Sequence, residues 1–191
     1  MLQFEEIFPT PVSNGFVYDN EILKDEIDQV IDDVKFFMIH EWGHTHLITT
    51  DFVVNNNIIA QYNLTNTKQE IDRKLKEYCE YIDFPFKKDY KIESWFSKFE
   101  KGHYAHTHSH GIADISGVYY YKTQDSAGQI FFEPPAPQFS QTKCYYSKGK
   151  SLFQSPDEGK ILLFPGWLSH GVTTNVSDTP RISLSFNIFF D

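Results

Sequence analysis

After Pro85 the sequence alternates apolar and polar residues in short runs, and turn-forming clusters separate most of these runs. This period-two pattern is typical of β-strands whose two faces meet different surroundings. About eight short strands at such spacing favour a sandwich or a barrel. The predicted strands are residues 92–99, 104–110, 115–122, 129–133, 143–146, 160–164, 168–174 and 181–190.

Two amphipathic helices are predicted before this boundary. The first has a stripe of apolar residues over 21–37, with Asn20 as its expected N-cap. The second covers 68–82, where Thr67 and Glu70 have the spacing of a capping box. Both helices have one apolar face to bury, so we expect them to pack on the outside of a sheet.

The chain shows no repeat, low-complexity tract or linker that would divide it. Helices first and strands afterwards therefore indicate one α+β, mainly β domain over residues 1–191. Its helical part is expected at 1–85 and its β core at 86–191. With 40% hydrophobic residues, the chain can bury a sizeable core.

Charge and cysteine usage limit the possible partners and the compartment. The formal net charge of −9 argues against a broad electrostatic contact with nucleic acid or an anionic membrane. No apolar run approaches the roughly 20 residues that span a bilayer, and no signal peptide is recognisable. Cys79 and Cys144 are the only two cysteines, which argues against a disulfide framework. We expect a soluble, cytoplasmic protein.

The last predicted strand has one apolar and one polar face. Such a strand either turns its polar face to water or lines the interior of a barrel with it. In the second case the buried arginine needs an anionic ligand as its partner. The apolar face comprises Ile182, Leu184, Phe186 and Ile188, and the polar face comprises Arg181, Ser183, Ser185 and Asn187.

Half of the eight histidines lie within residues 103–110. In an extended chain His106, His108 and His110 project from the same side. Neighbours on that side are about 7 Å apart, which lets two imidazoles converge on a metal ion. With a third ligand from elsewhere they would form a facial site with open positions. The alternative is a histidine cluster in a polar loop.

A second His-Thr-His run, which contains His44 and His46, repeats this spacing, but we expect it to be a solvated connection.

His170 and Arg181 are further candidates, because His170 follows a buried apolar run that ends in a Pro-Gly turn. We expect strands 168–174 and 181–190 to pair as a hairpin, which would place His170 opposite or diagonal to Arg181. A small dicarboxylate could then bind a metal at one end and the guanidinium at the other. Ser183, on the same face as Arg181, could add a hydroxyl group.

Together these residues resemble a known family, the 2-oxoglutarate/Fe(II) oxygenases of a bacterial and phage type. The resemblance covers nearly the whole chain and implies a double-stranded β-helix, a jelly-roll or cupin-like barrel. The matching runs are 8–12 (FPTPV), 93–96 (ESWF), Gly102, 108–110 (HSH), 115–120 (ISGVYY), 159–170 (GKILLFPGWLSH) and 181–187 (RISLSFN).

The resemblance also implies roles for individual residues. His108 and His110 would be the proximal metal ligands and His170 the distal one. Arg181 would bind the remote carboxylate of 2-oxoglutarate, and Ser183 would assist it. The wider superfamily has a carboxylate where this chain has His110, so the site lacks one negative charge and is expected to select iron less strictly.

Two residues near the proximal pair could change this ligand set. Asp114 could supply the missing carboxylate, and His106 could lie at the pocket mouth or take part in the site.

The function implied by the resemblance is a 2-oxoglutarate- and Fe(II)-dependent dioxygenase. It would use dioxygen to hydroxylate a small-molecule or protein substrate while 2-oxoglutarate is decarboxylated to succinate. Two alternatives remain at this point. One is a cupin-like three-histidine metalloenzyme that does not use 2-oxoglutarate, and the other is a non-catalytic β-helix that binds a small ligand.

Overall fold

The computed structural model describes residues 3, 9–39, 45–49, 56–143 and 149–190. The helices are α1 (Asn20–Asp28), α2 (Ile58–Gln61) and α3 (Thr65–Tyr81), with a 3-10 helix at Pro137–Gln141. The strands are β1 (Ser13–Phe16), β2 (Phe37–Met38), β3 (Leu47–Ile48), β4 (Tyr90–Phe99), β5 (Ala105–His108), β6 (Ile115–Lys122), β7 (Ile130–Phe132), β8 (Leu152–Gln154), β9 (Lys160–Pro165), β10 (His170–Val172) and β11 (Arg181–Phe190).

These strands form two antiparallel sheets. The larger has seven strands in the order β1-β9-β6-β11-β4-β3-β2, and the smaller has four in the order β5-β10-β7-β8. Strands that are consecutive in sequence often lie in different sheets, as in a jelly roll. The predicted mainly β fold, a double-stranded β-helix, is confirmed by this topology and by the structural similarities given below.

The centre of the larger sheet is β11, which pairs with β4 along its whole length and with β6 on its other side. Its apolar face packs against the helices in one large core, as the period-two pattern predicted. Members of that core are Leu23 and Ile27 of α1, Ile58 and Ile59 of α2, Ile71 and Leu75 of α3, and Leu184, Phe186 and Ile188 of β11.

The first predicted helix is too long, because α1 ends at Asp28 and not near residue 37. Its N-cap is Asp19, whose carboxylate accepts a hydrogen bond from the backbone N–H of Ile22, and not Asn20. Continuing the helix would have placed Asp32 and Asp33 toward its C-terminal end, where negative charge is unfavourable. The chain instead turns and forms β2, which pairs with β3.

The start of the second predicted helix also differs. The helix α3 begins at Thr65, two residues before the predicted cap, and Glu26 satisfies its first turn. The carboxylate of Glu26 accepts hydrogen bonds from the backbone N–H groups of Asn66 and Thr67, both at 2.8 Å. Glu70 accepts from the backbone N–H of Tyr18, so the predicted capping box is absent. The carboxylate of Glu26, which is distant in sequence, therefore caps α3 in place of the predicted capping box.

The predicted hairpin between 168–174 and 181–190 is wrong. The shorter strand, β10, pairs with β5 and β7, whereas β11 lies in the other sheet. Between them Asn175, which is fully buried, directs the chain from one sheet to the other. Its backbone N–H donates to His103 O, and its side chain donates to Phe99 O, both at 2.8 Å.

Four short strands were not predicted, namely β1, β2, β3 and β8. The predicted strand at 143–146 lies outside the described residues except for Lys143.

Candidate active site

Three imidazoles meet at one end of the smaller sheet. His108 ends β5 and His170 begins β10, and these two residues are register partners in adjacent strands. His110 lies two residues beyond β5, where its backbone N–H donates to Gly166 O at 2.8 Å. Each of the three histidines offers a ring nitrogen, and these nitrogens all lie within 4.8 Å of one another. Such a cluster can bind one transition-metal ion.

Backbone contacts orient two of these rings. Nδ1 of His108 lies 2.7 Å from His106 O, and Nδ1 of His170 lies 2.8 Å from Leu168 O. A carbonyl oxygen can only accept a hydrogen bond, so each Nδ1 carries the proton. Each Nε2 therefore keeps its lone pair, which is the form in which an imidazole binds a metal.

Burial keeps two of the three imidazoles uncharged. Removal from water, together with a smaller effect of the neighbouring His108, lowers the pKa of His170 to about 3. The same two causes lower the pKa of His110 to about 4. Since metal ligands must be deprotonated, these shifts favour metal binding at neutral pH. The donor set of three neutral imidazoles fits an ion such as Fe(II).

Arg181 lies in the same cavity but projects from the larger sheet. Only 2% of its surface is exposed, and burial lowers the pKa of its guanidinium. The guanidinium lies 4.1 Å from the ring centre of Phe99 and 5.5 Å from that of Tyr120. Nη1 donates to Gly128 O at 2.9 Å, but the buried Nε has no hydrogen-bond partner among the residues that the structure describes. A buried cation with an unsatisfied donor is suited to bind an anion.

The cavity that joins these groups has a volume of about 390 Å³. The polar face of β11 lines it, so of the two arrangements considered for this strand the structure has the barrel interior. Ser183 is buried between Ser97 of β4 and Tyr120 of β6, its partners in register. The three histidines and Arg181 thus line one cavity from facing sheets. The predicted hairpin is not needed to bring them together, because β10 and β11 lie in different sheets.

His46 also lines this cavity, which contradicts the expected solvated connection. It is 8% exposed, and its ring stacks on Phe99 with 4.5 Å between centroids. Burial, with smaller effects of His108 and Arg181, lowers its pKa to about 3. No periodic pattern indicated this position, because the adjoining strand β3 has only two residues. His44 lies outside the described residues.

The two residues that could have changed the ligand set lie apart from the three clustered nitrogens. His106 is exposed at the cavity wall, with its ring against Tyr104. Asp114 is exposed, and its carboxylate accepts a hydrogen bond from the backbone N–H of Phe190 at 2.8 Å. That bond holds Asp114 at the end of β11 and gives its carboxylate a structural role.

Three solved structures illustrate the similarity of fold. A Pseudomonas putida prolyl-4-hydroxylase is 14% identical, with a TM-score of 0.58, over 95% of this chain and 94% of that one. The viral collagen prolyl hydroxylase of Paramecium Bursaria Chlorella virus-1, in its 2OG complex, is 12% identical with a TM-score of 0.58, over 93% and 94%. HygX from Streptomyces hygroscopicus, with nickel and 2-oxoglutarate bound, is 11% identical with a TM-score of 0.63, over 94% and 83%.

No curated protein matches the chain by sequence. In the part of the chain that the structure describes, no helix combines the length and the apolar character needed to cross a membrane.

The family model described as "Putative 2OG-Fe(II) oxygenase" matches residues 93–187, a range that includes all three clustered histidines, Arg181 and Ser183. The expectation of an oxygenase that depends on Fe(II) and 2-oxoglutarate, and that uses dioxygen and an organic substrate, is confirmed at the level of the family. Residues 93–187, most of the β-helix core, are therefore a domain of the 2-oxoglutarate/Fe(II) oxygenase type.

Proposed function

We propose that the chain is a hydroxylase in which His108, His110 and His170 hold Fe(II), while Arg181 and Ser183 hold 2-oxoglutarate. One observation carries this proposal. Three imidazole nitrogens within 4.8 Å of one another share a cavity with a buried arginine whose Nε has no partner in the described part of the chain. A metal ion and a dicarboxylate would satisfy both groups at once.

Bound iron supplies the redox chemistry, in which one atom of dioxygen enters a substrate C–H bond and the other enters succinate as 2-oxoglutarate loses carbon dioxide. The protein supplies binding and orientation. The hydrogen bonds of His108 and His170 to backbone carbonyls hold two imidazoles in the ligating tautomer before any ion arrives. This preorganisation reduces the ordering that metal binding would otherwise require.

Arg181 is proposed to select the cosubstrate by charge and shape. Its planar fork matches a carboxylate, and Nε–H is available to donate one of the two parallel hydrogen bonds. Phe99 and Tyr120 cover the guanidinium and exclude water, which strengthens its attraction for an anion. The hydroxyl of Ser183, on the same face of β11, can donate a further hydrogen bond.

The substrate is proposed to be a small molecule or a protein side chain, since the net charge of −9 disfavours nucleic acid. The reducing cytoplasm remains the proposed compartment, supported by Cys79, which is buried and not in a disulfide.

Formation of succinate from 2-oxoglutarate tests the proposed function. Purified protein with Fe(II), ascorbate and oxygen should convert 2-oxoglutarate to succinate slowly, and faster with the correct member of a broad substrate panel. His170→Ala should reduce succinate formation by at least about 100-fold, because it removes a ligand from the metal. His103→Ala is the matched control, since His103 lies outside the cluster. Equal succinate formation by the wild type and His170→Ala would contradict the proposal.

A further inference from the structure

The third imidazole of the cluster is held differently from the other two. His108 and His170 each donate from Nδ1 to a backbone carbonyl two residues earlier in the chain. His110 instead has Nδ1 at 3.4 Å from the side-chain amide nitrogen of Asn187, which projects from β11 in the facing sheet. A side chain of the larger sheet therefore contacts a candidate ligand of the smaller one.

Asn187 is itself held by Ser116. These two residues are register partners on β11 and β6, and the Ser116 hydroxyl donates to the amide oxygen of Asn187 at 2.8 Å. Ser116 is 1% exposed and Asn187 is 6% exposed, so water is largely excluded from this contact. Ser116, Asn187 and His110 thus form a polar chain, buried at its first two members, that leads from the sheet centre to the three clustered histidines.

We propose that Asn187, supported by Ser116, is a positioning residue that fixes His110 with Nε2 toward the metal; this inference rests on the proposed function. For His110 to bind through Nε2, its Nδ1 must carry the proton and donate it to an acceptor. The amide oxygen of Asn187 is that acceptor when it faces His110. The amide nitrogen then donates to Ser116, whose hydroxyl can act as either donor or acceptor.

The structure has the amide nitrogen toward His110 and the amide oxygen toward Ser116, and the proposed arrangement differs from it only by a half-turn of the Asn187 amide, in which oxygen and nitrogen exchange places. With the nitrogen toward His110, Nδ1 would have to accept, and the proton would lie on Nε2 and block metal binding. The orientation of one buried amide therefore decides whether the cluster has three usable lone pairs or two.

Titration of the metal-free protein with Co(II) alone tests the proposal without any turnover. Asn187→Leu, which is similar in size but cannot accept a hydrogen bond, should weaken Co(II) binding by roughly 10- to 100-fold. Asn187→Asp, which can accept from Nδ1 but cannot donate to it, should restore wild-type affinity or exceed it. Asn14→Leu is the control, because Asn14 is exposed on β1 at the far edge of the same sheet.

Proton NMR of the Co(II)-loaded protein gives a second readout that a purely structural role would not change. Every imidazole bound through Nε2 contributes one strongly shifted Nδ1–H signal that disappears in D₂O. The wild type and Asn187→Asp should show three such signals, one for each histidine of the cluster. Asn187→Leu should lose the His110 signal, because its Nδ1–H then has no acceptor and exchanges rapidly.

Unchanged Co(II) affinity in a folded Asn187→Leu would overturn the proposal. Equal weakening in Asn187→Asp and Asn187→Leu would overturn the acceptor role. If Asn187→Leu does not fold, Ser116→Ala replaces it, and this variant should weaken Co(II) binding less than tenfold but measurably; unchanged affinity there would overturn the supporting role of Ser116. Failure of the wild type to bind any metal would instead contradict the proposed function.

Discussion

The two faces of β11 are buried to almost the same degree but for different reasons. On one face Leu184 and Ile188 are 0% exposed, because side chains from the helices cover them. On the other face Arg181 and Ser183 are 2% and 1% exposed, yet they line a cavity. Burial of the first face stabilises the fold, whereas burial of the second costs free energy unless a ligand is bound. One strand thus serves the core with one side and the site with the other.

Removing the charge from the cavity face should give the largest effect, and it should fall on binding. Arg181→Met is expected to weaken binding of 2-oxoglutarate to the Mn(II)-loaded protein by at least about 100-fold, because a buried carboxylate loses its partner. The stability of the ligand-free protein should change little, since the loss of the hydrogen bond to Gly128 O is offset by the removal of a buried charge whose Nε has no partner among the described residues. Isothermal titration and urea unfolding measure the two quantities.

The matched control is Arg73→Met, which removes the only other arginine of the chain. Arg73 forms an ion pair with Glu70 on the helical side, so its loss should leave 2-oxoglutarate binding unchanged. Should Arg181→Met bind 2-oxoglutarate as the wild type does, the distinction between the two faces would fail.

Truncation of a side chain on the apolar face should lower stability and leave ligand binding unchanged. Leu184→Ala leaves a cavity in the core and is expected to lower the free energy of unfolding by about 2–5 kcal/mol. Where the variant is folded, its affinity for 2-oxoglutarate should be retained, because Leu184 contacts the helices and not the cavity. Urea unfolding followed by circular dichroism measures the loss.

Leu152→Ala is the control for this variant, because Leu152 is 47% exposed on the edge strand β8. It should change the free energy of unfolding by no more than about 0.5 kcal/mol. A similar loss in both variants would mean that Leu184 is not part of a close-packed core.

Local patterns predicted both faces of β11, since alternation within one strand is independent of which strands lie beside it. The same patterns could not predict the pairing of strands, which depends on contacts between distant residues. The predicted hairpin failed at Asn175, where a buried amide directs the chain to the other sheet. The start of α3 was wrong for the same reason, because Glu26 supplies its cap from another helix.

In the candidate site too, local patterns indicated some residues, whereas long-range contacts had to be seen in the structure. His108, His110, His170 and Arg181 became candidates through their spacing and strand alternation, and the resemblance to a family then implied their roles. His46 belongs to none of the runs that carry this resemblance and lies before a two-residue strand, so neither periodicity nor resemblance indicated it. Its place beside Phe99 becomes visible only when β3 is seen to pair with β4.

His46 also gives the smallest predicted effect, which is a dependence of stability on pH. Its pKa of about 3 in the folded protein is below the ordinary value near 6.5, because burial disfavours the charged ring. The contribution of uncharged His46 to the free energy of unfolding is therefore complete above about pH 6.5. It is lost as the pH falls toward the pKa of His46 in the folded protein, since the unfolded chain binds the proton first. Each such histidine contributes a slope of up to about 1.4 kcal/mol per pH unit.

His46→Gln retains a hydrogen-bonding side chain but cannot titrate, so this variant should show a shallower loss of stability between pH 6.5 and pH 4. Urea unfolding of the metal-free protein across that range measures the difference, and a chelator excludes any contribution from metal release. His106→Gln is the control, because His106 is exposed at the rim of the same cavity and should leave the slope as it is. Parallel pH profiles for the wild type and His46→Gln would show that His46 is hydrated in solution. The cavity would then be open to water beside Phe99, and the guanidinium of Arg181 would lose the water-excluding surroundings that make it selective for an anion.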